Sequence, residues 1–450
     1  IFPSGYILTN FGWPSFVSIF FTFAKDANML TLMDLQRILS VVISTLTIIP
    51  IYFLTKIFFR KEIALLATIL FLFDPRIIEN SIAGITDSLF ILLTVLTLLF
   101  IFYKKSSLIY LSFIFIALAA FVRYEGIVLI IPLLVSYVIK NRQEKIPNIK
   151  LLVGISLFLI IIIPINFINY EDTQQTSIFS QIVHRGDFIS GTIIENKPDI
   201  DDEFFATNEN HTIIFIENAV GGFIKYLGWV LIPTSIIFCI LGVIFVPKKI
   251  TKNKIIFGLF FVFLASSSIY AYGRGFQETR YLLVLLPIII LLSGYGLNYL
   301  LKINLKHIQI IIIFGVIVSS FIFIDYRNKD SKYELEMYEA TIFLTNIAQG
   351  VNDYNGNKYI KAVDLQNNWP ELLLKGENGK MKLITEKFPI KGFEEPLEYI
   401  KFNKNKGLTH LLIKEGDLFF DDIFINERNY SFLEKIYDSN DSDETTKYKI

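Results

Sequence analysis

Cysteine is nearly missing: Cys239 is the only one in 450 residues. An intrachain disulfide and a thiolate metal site are thereby excluded. Inside its apolar run, Cys239 reads as a small packing residue. Net charge is missing too. The 42 Lys and Arg balance the 42 Asp and Glu, so nothing points to a nucleic-acid partner. Charged residues make up only 19% of the chain, less than the roughly 25% of an ordinary soluble domain. There is no repeat of solenoid type. The opening stretch IFPSGYILTNFGWPSF shows no signal-peptide pattern. It starts at Ile1 and reads as the middle of a loop, so we expect an earlier segment with at least one further span.

What is present is apolar. Hydrophobic residues are 53% of the sequence, the mean hydropathy is +0.51, and the excess gathers in long runs. Such runs point to membrane spans rather than to one large core. We expect about ten spans, over 35–55, 63–77, 86–103, 108–121, 126–139, 151–168, 226–246, 255–272, 281–300 and 308–324. Lysine and arginine then orient the chain. Alternate loops carry Lys56, Arg60 and Lys61; Lys104 and Lys105; Lys140, Arg142, Lys145 and Lys150; Lys248, Lys249, Lys252 and Lys254; Lys302 and Lys306. These loops are expected to be cytoplasmic. The others fall outside: 1–34, the loop after Asp74, the Arg123 turn, the long loop 169–225, the 273–279 loop and everything after Asp325. The sequons at Asn210, Asn429 and Asn440 lie on that side as well.

After Asp325 long apolar runs stop and charge rises. Helical patterns over 338–348 and 397–402 alternate with strand patterns over 359–364, 381–385 and 408–414. Alternation of this kind suggests a small α/β domain. The expected fold is therefore an α-helical polytopic membrane protein over 1–325, with an external soluble α/β domain over 326–450.

Polar side chains able to do chemistry collect on the external side. Asp74, Arg76, Glu79 and Asp87 share one short loop, Arg123 and Glu125 a turn, and Arg274, Glu278, Arg280 and Tyr281 a third. Glu79 and Asp87 could act as base, acid or metal ligands. No cofactor follows from the sequence, and a divalent cation is the one helper such carboxylates could hold. Arg280 and Arg274 offer planar forks suited to phosphate oxygens. Plainer readings stand beside these. Arg280 could snorkel to lipid headgroups, Asp87 could cap a helix, Arg123 and Glu125 could form a structural ion pair, and Trp13 and Tyr281 could be interfacial anchors.

Several motifs resemble a known family. Leu35-Gln-Arg-Ile-Leu-Ser, Pro50-Ile-Tyr and Phe58-Phe-Arg-Lys resemble the early spans of polyprenyl-phosphate-dependent glycosyltransferases of the C superfamily. Asp74-Pro-Arg with Thr86-Asp-Ser-Leu-Phe is similar to their second external loop. Phe121-Val-Arg-Tyr-Glu-Gly is similar to their Arg-x-Glu-Gly turn, and Glu278-Thr-Arg-Tyr-Leu-Leu-Val-Leu-Leu-Pro to their late Arg-Tyr-Leu-Leu span. The branch most resembled is the protein O-mannosyltransferase and aminoarabinose transferase group, in an archaeal form. Trp369-Pro-Glu-Leu-Leu and Leu408-Thr-His-Leu resemble tails of archaeal members. The Trp-Trp-Asp signature of oligosaccharyltransferases is absent.

The resemblance implies a membrane glycosyltransferase that moves a sugar, a mannose-type hexose, from a polyprenyl- or dolichyl-phosphate carrier to an external acceptor hydroxyl on protein or glycan. It implies catalytic roles for Asp87 and Glu79 and substrate binding by Arg280, Arg274, Arg123, Glu125 and Tyr281. The family's first-loop acid, the expected primary base, is not identifiable here and is expected before Ile1. Two rivals stand: a secondary transporter or lipid-linked sugar flippase, and an inactive relative acting in assembly or as a receptor. Nearly charge-free spans with polar clusters at one face favour surface chemistry over passage.

Overall fold

In a computed structural model the chain is mostly helical. The structure describes residues 12–24, 29–103, 108–141, 147–173, 211–249, 251–302, 307–327, 343, 362–363, 393, 395–405, 408, 410–411, 413–414, 419–436, 438 and 448–449. By its contacts the chain divides into two compact units, Ile1–Phe323 and Ile324–Ile450.

Within the first unit the helices are α1 Gly12–Phe21, α2 Met29–Leu46, α3 Ile48–Phe58, α4 Lys61–Leu72, α5 Pro75–Ile82, α6 Asp87–Phe102, α7 Ile109–Val122, α8 Ile130–Asn141 and α9 Pro147–Thr173. Then come α10 His211–Leu231, α11 Ile236–Phe245, α12 Lys252–Gly273, α13 Leu286–Lys302 and α14 Ile308–Arg327. Two 3-10 segments, Tyr124–Ile127 and Thr279–Leu285, lead into α8 and α13.

Five stretches among the described residues are long and apolar enough to cross a membrane: Thr31–Phe58, Ile213–Leu231, Lys252–Gly273, Thr279–Lys302 and Ile308–Asp325. Shorter apolar helices run over Gly12–Phe21, Asp87–Phe102, Ile109–Val122, Leu151–Pro164 and Ile236–Phe245. This is the make-up of a polytopic membrane protein. The outer faces agree: Phe314, Ile311 and Ile322 of α14 all point away from the protein, which suits lipid and not water.

Two expectations need correction. The segment 226–246 is not one helix, because α10 ends at Leu231 and α11 begins at Ile236. The long loop expected over 169–225 contains helix from His211 onward. Glu217, Asn218 and Lys225 dilute the hydropathy there while the backbone stays helical. Close packing elsewhere rests on small residues. A Cβ on Gly242 would strike the Leu292 carbonyl, and one on Gly296 the Phe238 carbonyl, so these two glycines let α11 and α13 approach backbone to backbone.

The Asp74-Pro75 pair starts α5. Asp74 accepts hydrogen bonds from the amides of Arg76 (3.0 Å) and Ile77 (3.3 Å), and Pro75 occupies the first helical position, where a missing N–H costs nothing. Between α5 and α6 the chain turns at Gly84, whose φ of +70° is left-handed.

In the second unit β1 Ala362–Val363 pairs parallel with β2 His410–Leu411, and β3 Ile413–Lys414 antiparallel with β4 Tyr448–Lys449. Helices α15 Pro396–Lys404 and α16 Asp421–Ile425 join them. Tyr399, Ile400, Ile413, Phe420, Ile423 and Phe424 form its buried cluster. The expected strand 381–385, the expected helix 338–348 apart from Phe343, Trp369, the sequons at Asn210 and Asn440, and Lys104, Lys105, Arg142, Lys145 and Lys306 lie outside the described residues.

Candidate active site

Three chain segments of the first unit bring charge together. Asp87 is the first residue of α6. Its helix has no side-chain cap bond, and its carboxylate instead accepts from Nη1 of Arg123. The Asp87 side chain is 5% exposed and that of Arg123 15%. The helix-cap reading of Asp87 is thus replaced by an ion pair between a buried carboxylate and a part-buried guanidinium.

Arg123 sits where α7 stops. The chain turns through Tyr124–Ile127, with the Gly126 amide donating to the Arg123 carbonyl at 2.8 Å. A Cβ on Gly126 would meet the Ala120 nitrogen at 2.5 Å, so the turn can fold back on α7 only with glycine there. That fold-back aims Glu125 at its neighbour: Arg123 Nη2 donates to Glu125 Oε1 at 3.1 Å and Nε to Oε2 at 3.4 Å. Two carboxylates therefore flank one guanidinium. Burial works against the charge of Arg123, yet Glu125 and then Asp87 outweigh it and raise its pKa above the ordinary arginine value. The ring of Phe90 lies 5.6 Å from the same guanidinium.

Arg280 comes from far along the chain, on the 3-10 segment Thr279–Leu285, which packs against α5 and α6. It acts electrostatically on Asp87. Its guanidinium pairs with Glu278 and lies over the Tyr281 ring at 5.3 Å. This pair is open, with side chains 42% and 50% exposed. Tyr281 is held from within: its carbonyl accepts from Ser268 Oγ at 2.6 Å and its ring sits edge-on to Tyr272. Arg274 caps α12 against the rings of Tyr270 and Phe276.

Glu79 does not share a loop with Asp87. It lies on α5, one turn after Arg76, and accepts from Arg76 Nη1 at 3.3 Å. The Arg76 guanidinium also stacks on Phe323 of α14, 4.6 Å away. The structure thus unites Asp87, Arg123 and Glu125, puts Arg280 within electrostatic reach, and sets Glu79 on the neighbouring helix. Among the described residues, no group of three or more His, Cys, Asp or Glu side chains is placed to hold a metal ion.

Two residues carry more than the sequence suggested. Asp74 is fully buried and, besides starting α5, accepts from Thr234 Oγ1 at 3.2 Å. The partners are 160 positions apart, and no local pattern signals the contact. Trp13, expected as an interfacial anchor, is buried and donates its indole N–H to the Gly84 carbonyl at 3.0 Å.

Comparison with known proteins adds one finding. Residues 29–167 match the model of the dolichyl-phosphate-mannose-protein mannosyltransferase family. The match covers less than half of the chain. It contains Glu79, Asp87, Arg123 and Glu125, but not Arg274, Arg280 or Tyr281. No curated protein matches the chain.

Proposed function

We propose that this chain is a membrane glycosyltransferase that transfers a mannose-type hexose from a polyprenyl- or dolichyl-phosphate carrier to an acceptor hydroxyl outside the cytoplasm. One observation carries the reading. A segment similar to dolichyl-phosphate-mannose-dependent enzymes supplies the largely enclosed Asp87–Arg123–Glu125 group, and an exposed arginine, Arg280, lies within electrostatic reach of Asp87.

The chemistry follows from these groups. The acceptor oxygen attacks the anomeric carbon of the sugar. The bond from that carbon to the phosphate oxygen breaks, and polyprenyl phosphate leaves with the electron pair. The acceptor proton passes to a carboxylate base. Asp87 has the supporting role: Arg123 donates to its buried carboxylate, and the carboxylate held there orients the acceptor hydroxyl. Glu79 stands by on α5. Arg123 and Glu125 act by holding Asp87.

Arg280 takes the carrier phosphate. Its present partner, Glu278, is exposed, and such a pair contributes only about 0.2–1 kcal/mol, so a phosphate can displace it. The planar fork then meets negative charge as it develops on the leaving group. Arg274 and Tyr281 flank the same segment and complete the donor side. The active face and an α/β domain over 326–450 lie outside the cytoplasm in this reading, supported by the lysine-rich alternate loops.

The test is transfer from a radiolabelled mannosyl polyprenyl phosphate by the full chain in lipid vesicles with external membrane proteins as acceptors. Label should move to the acceptor and free polyprenyl phosphate should accumulate. Movement of intact donor across the bilayer without its cleavage would instead establish the transporter reading.

A further inference from the structure

Helix α1 touches the backbone just before each member of the Asp87–Arg123 pair through two consecutive residues. Gly12 lies against the end of α7: a Cβ there would stand 2.5 Å from Val122 Cα and 2.8 Å from the Phe121 carbonyl carbon. Val122 immediately precedes Arg123. The next residue, Trp13, donates its indole N–H to the carbonyl of Gly84, three residues before Asp87. That carbonyl receives a second bond, from Gln36 Nε2 of α2 at 2.7 Å.

The turn held in this way is the one that sets the start of α6. Gly84 is left-handed and packs against Arg37 of α2, whose Cγ would be 3.3 Å from a Cβ at this position. The rest of α1 follows the same direction. Trp13 and Val17 cluster with Ile43 of α2, and Leu89 and Leu92 of α6 pack against that cluster. One short helix therefore rests on the backbone beside Arg123 and fastens the turn before Asp87.

We propose that Trp13 and Gln36 are positioning residues. By jointly satisfying the Gly84 carbonyl they fix the register of Asp87 against Arg123, and α1 acts as the clamp that keeps the ion pair closed. The inference rests on the catalytic reading of Asp87 for its consequence in turnover, but the clamp itself has a readout independent of turnover. A buried carbonyl that loses both donors is left unsatisfied, and the turn relaxes toward water. Asp87 then drifts from Arg123, and the guanidinium opens.

The experiment compares the full chain with Trp13→Phe, Gln36→Leu and the double variant. Trp13→Phe keeps a ring in the cluster and deletes only the N–H with part of the indole, so a folded protein is expected. Phenylglyoxal modification of Arg123, read by peptide mass spectrometry against the exposed Arg60, should accelerate at least threefold in the double variant while thermal unfolding stays cooperative. Sugar transfer should fall by about tenfold, and adding Asp87→Asn to the double variant should cause no further loss beyond Asp87→Asn alone, as expected for residues acting through one another. Unchanged Arg123 reactivity in folded variants would overturn the clamp. So would fully multiplicative losses with Asp87→Asn. No sugar transfer by the wild type, with the Arg123 acceleration still seen in the double variant, would sink the catalytic reading and leave the clamp standing.

Discussion

Two arginine–carboxylate groups of the first unit have the same chemistry and opposite surroundings. Arg123 is largely enclosed between the buried Asp87 and the part-buried Glu125, whereas Arg280 and Glu278 face outward. Burial makes the first group hard to open: attraction in a low dielectric is strong, and removing Arg123 takes from the buried Asp87 the guanidinium that pairs with it. Exposure makes the second group exchangeable, since water competes with each contact. In the proposed reaction the site holds one carboxylate in place and accepts an incoming phosphate, and it needs one group of each kind.

The sharpest way to break this contrast is Arg123→Ala. It takes the guanidinium from the buried Asp87, and loss of one partner from a buried pair costs about 3–5 kcal/mol. Thermal unfolding of the purified protein in detergent should drop markedly. Adding Asp87→Asn to the same chain should restore much of the loss, because the carboxylate that lost its guanidinium is no longer an acid. If Arg123→Ala unfolds like wild type, the pair is not buried as described.

Arg280→Ala should do the reverse, leaving stability nearly unchanged and weakening donor use. A charged hydrogen bond to phosphate contributes roughly 1.5–3 kcal/mol, so the donor KM should rise about ten- to a hundredfold. Arg280→Lys should rescue only in part, since it keeps the charge and loses the fork. Unchanged donor saturation in folded Arg280→Ala would return this residue to headgroup anchoring.

The smallest effect lies in the second unit, where an exposed carboxylate, Asp422, accepts from Asn426 Nδ2 at 2.6 Å and from the Tyr430 hydroxyl. The bond from Tyr430, and after it that from Asn426, lowers the Asp422 pKa, while Asp422 pushes the Tyr430 phenol up to about 12. The phenol's contribution is complete below its ordinary pKa of about 10 and disappears as pH rises through about 12. The carboxylate's contribution is present above about pH 3.9 and disappears as pH falls through its lowered value. Asp422→Asn should bring Tyr430 ionisation down toward 10 in a titration of ring-labelled tyrosine, assigned with Tyr430→Phe. An unmoved Tyr430 would mean the bond is not made in solution.

How far the sequence discloses this arrangement depends on the range of each contact. Membrane helices over 255–272, 281–300 and 308–324 are plain from apolar runs of bilayer length, and the structure has long apolar helices there. The Arg123–Glu125 pair is readable because the partners are two residues apart. The start of α5 is equally local, in Asp74-Pro75, although a span drawn through to 77 passes over it. What stays hidden is long-range. Nothing near Asp87 names Arg123, 36 positions on, nor does Trp13 announce its bond to Gly84, 71 positions away. Hydropathy also hides helix breaks, since Ile232–Ser235 interrupts a helix without lowering the apolar count.

The most direct measurement is the rate of sugar transfer from radiolabelled mannosyl polyprenyl phosphate by the full chain and by Asp87→Asn at matched amounts. Asn is nearly isosteric with Asp and keeps a hydrogen-bonding oxygen for Arg123, but it carries no charge. A carboxylate that serves the reaction should lose at least about tenfold in rate, or some 1.4 kcal/mol of transition-state stabilisation. Equal rates in a folded Asp87→Asn would contradict a catalytic role and leave the buried pair as architecture alone.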